Sequence, residues 1–213
     1  MNLKGKNETM KRYEVLKGLP PYGDPAIPMV PDGELFVSEG FVVKFYKNDG
    51  TTWIGNFPKG VTDLFAVRPF DASQLLLIIS GGDGYLIDPN SSEVLKYFDY
   101  MATEILEWEE GKLILASYNN VTAIDKSGHV LWKVDLDGSD GVKDLRIEDH
   151  TLLGKVYDIY GYEREDPWVV FHIDLRTQEL TWVDRYSRSY PKLSWWQVLY
   201  RKIRDIAMIK YIN

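Results

Sequence analysis

Four copies of one strand–turn–strand pattern run through the chain, and they constrain its fold more than any other feature. They read Phe45-Tyr46-Lys47-Asn48-Asp49-Gly50 with Trp53, Leu86-Ile87-Asp88-Pro89 with Tyr97, Ala123-Ile124-Asp125-Lys126-Ser127-Gly128 with Trp132, and His172-Ile173-Asp174-Leu175-Arg176-Thr177 with Trp182. With Lys47, Asp88, Asp125 and Asp174 taken as equivalent, the spacings are 41, 37 and 49 residues. A four-stranded propeller blade repeats at roughly 40–50 residues. The pattern therefore predicts an all-β, propeller-like array of about four antiparallel blade units.

The residues between these anchors read as short strands. Phe41–Tyr46 is rich in aromatic and β-branched residues, Asn48-Asp49-Gly50 supplies the positive-φ turn of a tight hairpin, and 53–57 returns. The second unit reads as strands at 63–67, 75–80, 85–87 and 94–98, the third at 104–108, 112–117, 121–124 and 130–134. The fourth reads as 142–148, 152–157, 168–173 and 180–183. Leu75-Leu76-Leu77-Ile78-Ile79 is apolar without alternation, which predicts burial on both faces. The aspartate before each turn can accept N–H bonds from the residues after it. The aromatic residue further on is expected to pack between neighbouring sheets.

Three segments follow. Residues 1–33 form a lead-in with five prolines between Pro20 and Pro31, suited to an extended segment or a sheet edge because proline lacks a ladder donor. Residues 34–184 form the repeat domain. Residues 185–213 are expected to form one basic C-terminal α-helix packed on the β domain, with Ser194 and Gln197 as a capping box and Trp195, Trp196, Leu199, Ile203 and Ile206 on one face.

The units resemble the blades of quinoprotein-like and WD40-like β-propellers, over roughly residues 34–184. The segment from Ala123 through Asp125 to Trp132 is closest to the quinoprotein repeat. The whole chain also looks like small uncharacterised bacterial proteins, through Leu19-Pro20-Pro21-Tyr22-Gly23, Ser38-Glu39-Gly40-Phe41-Val42-Val43 and Gly81-Gly82-Asp83-Gly84-Tyr85. That resemblance implies a bacterial source and no particular activity. Nothing in it implies a bound quinone.

Charge narrows the partners. The net charge is −7, yet residues 185–213 hold seven basic side chains against Asp205 alone, +6, which leaves −13 on residues 1–184. An acidic body argues against broad nucleic-acid binding, which needs a basic footprint, and suits a basic partner. No apolar run reaches the length of about 18 residues that a membrane helix needs. A Trp-rich basic tail is also the composition of a helix lying on anionic lipid. The chain has no cysteine, and its first 17 residues lack the apolar centre of a secretory signal; both point to the cytoplasm.

Candidate chemistry is sparse. His129, His150 and His172 have no metal-ligand spacing among themselves. The loop from Asp135 to Gly141 suggests a calcium loop, but Arg146 stands where its twelfth-position acid would be. Gly81-Gly82-Asp83-Gly84 has neither the Lys-Ser/Thr nor the helix of a phosphate loop and reads as a tight turn. Glu104, Glu107, Glu109 and Glu110 form an acidic cluster that could serve glycoside hydrolysis only at defined separations. No catalytic set, cofactor site or metal site emerges.

The best recognition surface is the insertion that stretches the last spacing: Tyr157, Tyr160, Tyr162, Glu163, Arg164 and Trp168. Tyr and Trp give contact area at small entropic cost on such loops. The composite expectation is a non-enzymatic protein-binding module, of which a toxin-neutralising immunity protein is one form. A carboxylate-based hydrolase or carbohydrate-binding protein is the alternative.

Overall fold

The computed structural model describes residues 12–23, 25–30, 38–70, 74–159 and 165–183. They form sixteen strands in four sheets of four, with no helix among the described residues. The expected C-terminal helix lies outside the described residues. The described residues thus contain no helix long and apolar enough to cross a membrane.

Sheets 2, 3 and 4 are up-and-down meanders. Sheet 2 holds β5 (Phe65–Phe70), β6 (Leu75–Ser80), β7 (Asp83–Asp88) and β8 (Glu93–Phe98). Sheet 3 holds β9 (Glu104–Glu109), β10 (Lys112–Ala116), β11 (Asn120–Ile124) and β12 (Val130–Asp135). Sheet 4 holds β13 (Ser139–Glu148), β14 (Thr151–Asp158), β15 (Trp168–Asp174) and β16 (Leu180–Val183).

Sheet 1 departs from this plan. Its central hairpin, β3 (Phe41–Tyr46) and β4 (Thr52–Phe57), is flanked by two pieces of the lead-in, β1 (Tyr13–Val15) beside β3 and β2 (Ile27–Pro28) beside β4. Strand β2 runs parallel to β4, so the all-antiparallel expectation holds for every pairing but this one. Pro28 can sit there because an edge strand tolerates a missing donor.

Period-2 alternation fixes the stacking. In β6, Leu76 and Ile78 enter a buried cluster with Phe45, Trp53 and Phe57 of sheet 1. Leu77 and Ile79 point the other way, into a cluster with Leu113 and Leu115 of sheet 3. In β10, Ile114 and Ala116 join Leu152, Val169 and Phe171 of sheet 4. Successive strand side chains face opposite sides, so one apolar strand serves two neighbours. This propeller-like order explains why β6 is apolar throughout.

The turns are built as their sequence implies. Asp88 Oδ1 accepts Asn90 N at 2.9 Å, Asp125 Oδ1 accepts Ser127 N at 2.8 Å and His129 N at 2.9 Å, and Asp174 Oδ1 accepts Arg176 N at 2.8 Å and Thr177 N at 3.0 Å. Lys47 is their backbone equivalent: Gly50 N donates to Lys47 O as Gly128 N donates to Asp125 O. The carboxylate comes instead from Asp49, whose Oδ1 accepts Thr51 N at 2.9 Å. Bonds from Thr51 hold the Asp49 carboxyl below its usual range, and bonds from Thr177 and Arg176 do the same for Asp174. Burial pushes Asp125 up, but bonds from Ser127 and His129 outweigh it and leave it lowered. All three therefore favour folding above the unfolded carboxyl range, and that contribution fades as pH falls through their lowered values.

The recurrent aromatic residues split. Trp53 stacks on Phe45 at 4.2 Å between centroids and faces sheet 2, and Trp132 faces sheet 4. Trp182, eight residues after Asp174 instead of seven, falls on the opposite face and packs on Phe171 toward sheet 3. Tyr97 is 39% exposed and pairs in register with Tyr85, facing sheet 1. In sheet 2 the position equivalent to Trp132 is held by Lys96, which pairs with Leu86 as Trp132 pairs with Ala123. These aromatics therefore face different neighbouring sheets, and for Trp182 one residue of offset is the reason.

At the first two of these positions the side chain bonds to the next sheet's turn. Trp53 Nε1 donates to Pro89 O at 2.7 Å, and Lys96 Nζ donates to Gly128 O at 3.0 Å. A further clamp joins sheets 3 and 4. The Glu104 carboxylate accepts Asp144 N and Leu145 N, both at 2.9 Å, across an irregularity in β13 where Asp144 has φ +58°. Glu104→Ala is expected to cost about 1–3 kcal/mol by leaving two donors without their ionised acceptor. Chemical denaturation of the variant beside Glu107→Ala, whose carboxylate holds no such bond, checks this.

Candidate functional site

Two hairpin turns of sheet 3 and the end of β5 enclose an open cleft of about 620 Å³. Beneath it lie Phe70 and Leu113, 2% and 4% exposed, at the end of the buried cluster joining sheets 2 and 3. The β9–β10 turn contributes Glu107 through Lys112, and the β11–β12 turn contributes Asp125 and Lys126. A bulge at this end of the β9–β10 pair sets Glu107 opposite Leu113 and Glu109 opposite Lys112, so Trp108 is the extra residue. Its ring meets Trp132 edge-on at 5.9 Å.

The cleft is acidic, with four carboxylates against two ammonium groups. Lys112 Nζ lies 2.6 Å from Glu109 Oε2 and 5.0 Å from the centre of the Trp108 ring. A cation held between a carboxylate and an indole face is thus already present among the lining residues. Asp125 is committed to its turn. Among the described residues, Glu107 and Glu110 are exposed and have no ion-pair partner.

The sequence placed Glu107, Glu109 and Glu110 in one acidic cluster, and the structure brings these three together. It separates Glu104, which clamps β13. Sequence reasoning missed Phe70, Trp108 and Leu113 as parts of a site. The signal was the alternation of Glu107, Trp108 and Glu109 just before Gly111, a turn with an aromatic in it.

Of the insertion residues expected to form the recognition surface, Tyr157 and Trp168 are in register across β14 and β15, their rings 5.7 Å apart and nearly perpendicular. Lys143 Nζ lies 3.6 Å from the centre of the Trp168 ring. Asp158 N donates to Pro167 O at 3.0 Å, closing the base of the insertion. Tyr160, Tyr162, Glu163 and Arg164 lie outside the described residues. Among the described residues, no three His, Asp or Glu side chains gather to hold a metal ion.

A second polar pair lies at the Gly81-Gly82 turn. Tyr97 Oη donates to Asp83 Oδ2 at 3.1 Å. Burial pushes the Asp83 carboxyl up, against the lowering effect of that bond, and burial with the Asp83 charge pushes the Tyr97 hydroxyl up. A raised carboxyl binds protons more tightly in the folded state, so its contribution is full below the unfolded value of 3.8 and lost as pH rises through the folded one. Asp83→Asn is expected to raise stability at pH 7 by less than about 1 kcal/mol after solvent screening. Its advantage should vanish below pH ~4, as melts across pH 3–8 would register.

No protein-family model matches the chain, and no curated protein matches it. Among solved structures it is similar to a chain in the crystal structure of the mitotic checkpoint complex, at TM-score 0.39 and 14% identity over 68% of this chain and 58% of that one. It is similar also to a chain in the complex of KlAtg21 with the coiled coil of AgAtg16, at TM-score 0.40 and 13% identity over 70% of this chain and 54% of that one. The chain thus spans little more than half the length of either.

Proposed function

We propose that this protein is a binding module that engages another protein through the cleft between sheets 2 and 3. The observation that carries the reading is the cleft itself, an open recess of about 620 Å³ with the half-buried Trp108 ring and an acidic rim among its lining. Recognition sites on folded scaffolds combine a desolvated apolar centre with a polar rim. Neutralisation of a basic toxin is one form this activity would take, in keeping with the acidic body.

Hydrolysis is less favoured because the recurrent carboxylates are occupied. Asp49, Asp88, Asp125 and Asp174 each accept backbone N–H bonds within their own hairpins.

A photo-crosslinking residue at position 110, in the cleft, and another at position 148, in the β13–β14 hairpin, test the proposal in the native host. One dominant protein adduct from position 110 and none from position 148 is expected. Identical adducts from both positions would end the reading.

A further inference from the structure

We infer that the open edge of β1 is a strand acceptor, filled by the segment just after β16, residues 186–190, of a second copy of this chain. This edge is separate from the cleft.

The open edge shows when sheets 1 and 2 are aligned on their turns. Val43 lies four residues before Lys47, as Gly84 lies four before Asp88. Gly84 pairs with Ile79, and Ile79 pairs with Ala66 of β5, the first strand of sheet 2. Val43 pairs with Val15, and there sheet 1 stops among the described residues. Sheet 1 thus begins at the second strand of the pattern that sheets 2, 3 and 4 complete. Tyr46 N donates to Arg12 O at 3.0 Å and Leu16 N donates to Val42 O at 2.9 Å. Alternation therefore turns the N–H and C=O groups of Tyr13 and Val15 away from β3, a template for one more strand.

The side chains at this corner agree. Val15 shares the face of Tyr13, which packs on the cluster between sheets 1 and 2. Phe65, on the sheet-1 side of β5, has its ring 5.5 Å from that of Phe41. Ile79, the counterpart of Val15, has β5 beside it and is wholly buried, whereas Val15 is 49% exposed and Phe65 40%. A strand laid beside Val15 would remove both from water.

The far end of the stack supplies that strand. Connections of seven, five and three residues lead from the last strand of each sheet to the first strand of the next. Residues 184 and 185 would make an equally short step beyond Val183. Arg188-Ser189-Tyr190 then repeats the arginine and aromatic with which β5 ends, Arg68-Pro69-Phe70. In the register of β5 this sets Arg188 opposite Tyr13 and Tyr186 opposite Val15. Buried clusters join sheet 1 to 2, 2 to 3 and 3 to 4, and among the described residues none joins 4 to 1. The sheet able to receive a strand beside sheet 4 is therefore sheet 1 of a second copy. Exchange about a two-fold axis leaves neither edge open. It also sets the +6 tail against a second body carrying −13.

Sedimentation velocity of the full chain between about 1 and 100 μM is expected to pass from monomer to dimer. Val15→Pro removes a donor that β3 does not use, and Phe65→Ser removes the apolar seat. Each is expected to weaken the dimer at least about tenfold, while Leu131→Ser, an exposed change on β12, should leave it unaltered. Phe65→Ser leaves β1 untouched, so it stands as the test should melts show Val15→Pro unfolded. A photo-crosslinking residue at position 15, in a mixture of isotope-labelled and unlabelled chains, is expected to join residues 184–188 of a differently labelled chain. A monomer at every concentration, an adduct within one chain, an adduct to any other segment, or a dimer indifferent to Phe65→Ser overturns the inference.

Discussion

Replacing Gly82 by alanine is expected to lower stability by about 3 kcal/mol or more, read as a fall in denaturation midpoint without a change in slope. Gly82 has φ +89°, and a Cβ there would stand 2.7 Å from the Ala102 carbonyl oxygen and 2.8 Å from the Ala102 nitrogen. Neither atom can retreat cheaply. Gly82 N donates to Leu64 O at 3.1 Å, Ala102 N donates to Gly82 O at 3.0 Å, and Thr62 Oγ1 donates to Ala102 O at 2.6 Å. The turn after β6 thus locks together the segments leading into sheets 2 and 3. Gly50→Ala is the control: its φ is +83°, but nothing lies within 4 Å of the added carbon, so only backbone strain of about 1–2 kcal/mol remains. Equal losses from the two variants would show that the interlock contributes nothing.

Trp53→Ala is expected to cost about 3–5 kcal/mol, as for other large aromatic truncations in cores. Trp53 is 7% exposed, stacks on Phe45 and spans from sheet 1 to the turn of sheet 2. Trp53→Phe separates the bond from the packing. It should still cost about 1–3 kcal/mol, because the Pro89 carbonyl loses its buried donor. Trp132→Phe makes the same change in sheet 3, where the buried Trp132 Nε1 has no acceptor among the described residues, and should cost less than about 1.5 kcal/mol. Urea titration of the three variants decides the matter, and a Trp132→Phe loss matching that of Trp53→Phe would refute the bridging role.

The repeat was legible because hairpin chemistry is local. An aspartate that caps its own turn needs only the next two to four residues, so Asp88, Asp125 and Asp174 announce their turns in sequence. Sheet 1 hid its plan for the opposite reason. Its edges come from Tyr13–Val15 and Ile27–Pro28, pieces too short to carry a periodic signal, and β1 reaches β3 across 25 residues of intervening chain. The cleft was half visible: its carboxylates stood in a run, but Phe70 lies 37 residues before Glu107 and reaches it only by sheet packing.

The all-β class, the spacing of the units, the turns between their strands and the double-sided burial of β6 all follow from the period of two and from contacts a few residues apart. Which residues bridge to the next sheet, as Trp53 and Lys96 do, came instead from packing. A one-residue offset sends Trp182 to one face and Trp132 to the other, and a turn one residue longer puts Lys96, eight residues after Asp88, where Trp132 stands seven after Asp125. Packing also decided which of the clustered glutamates clamps β13 and which rim the cleft. Side-chain facing depends on register, and register is settled by packing between strands distant in sequence.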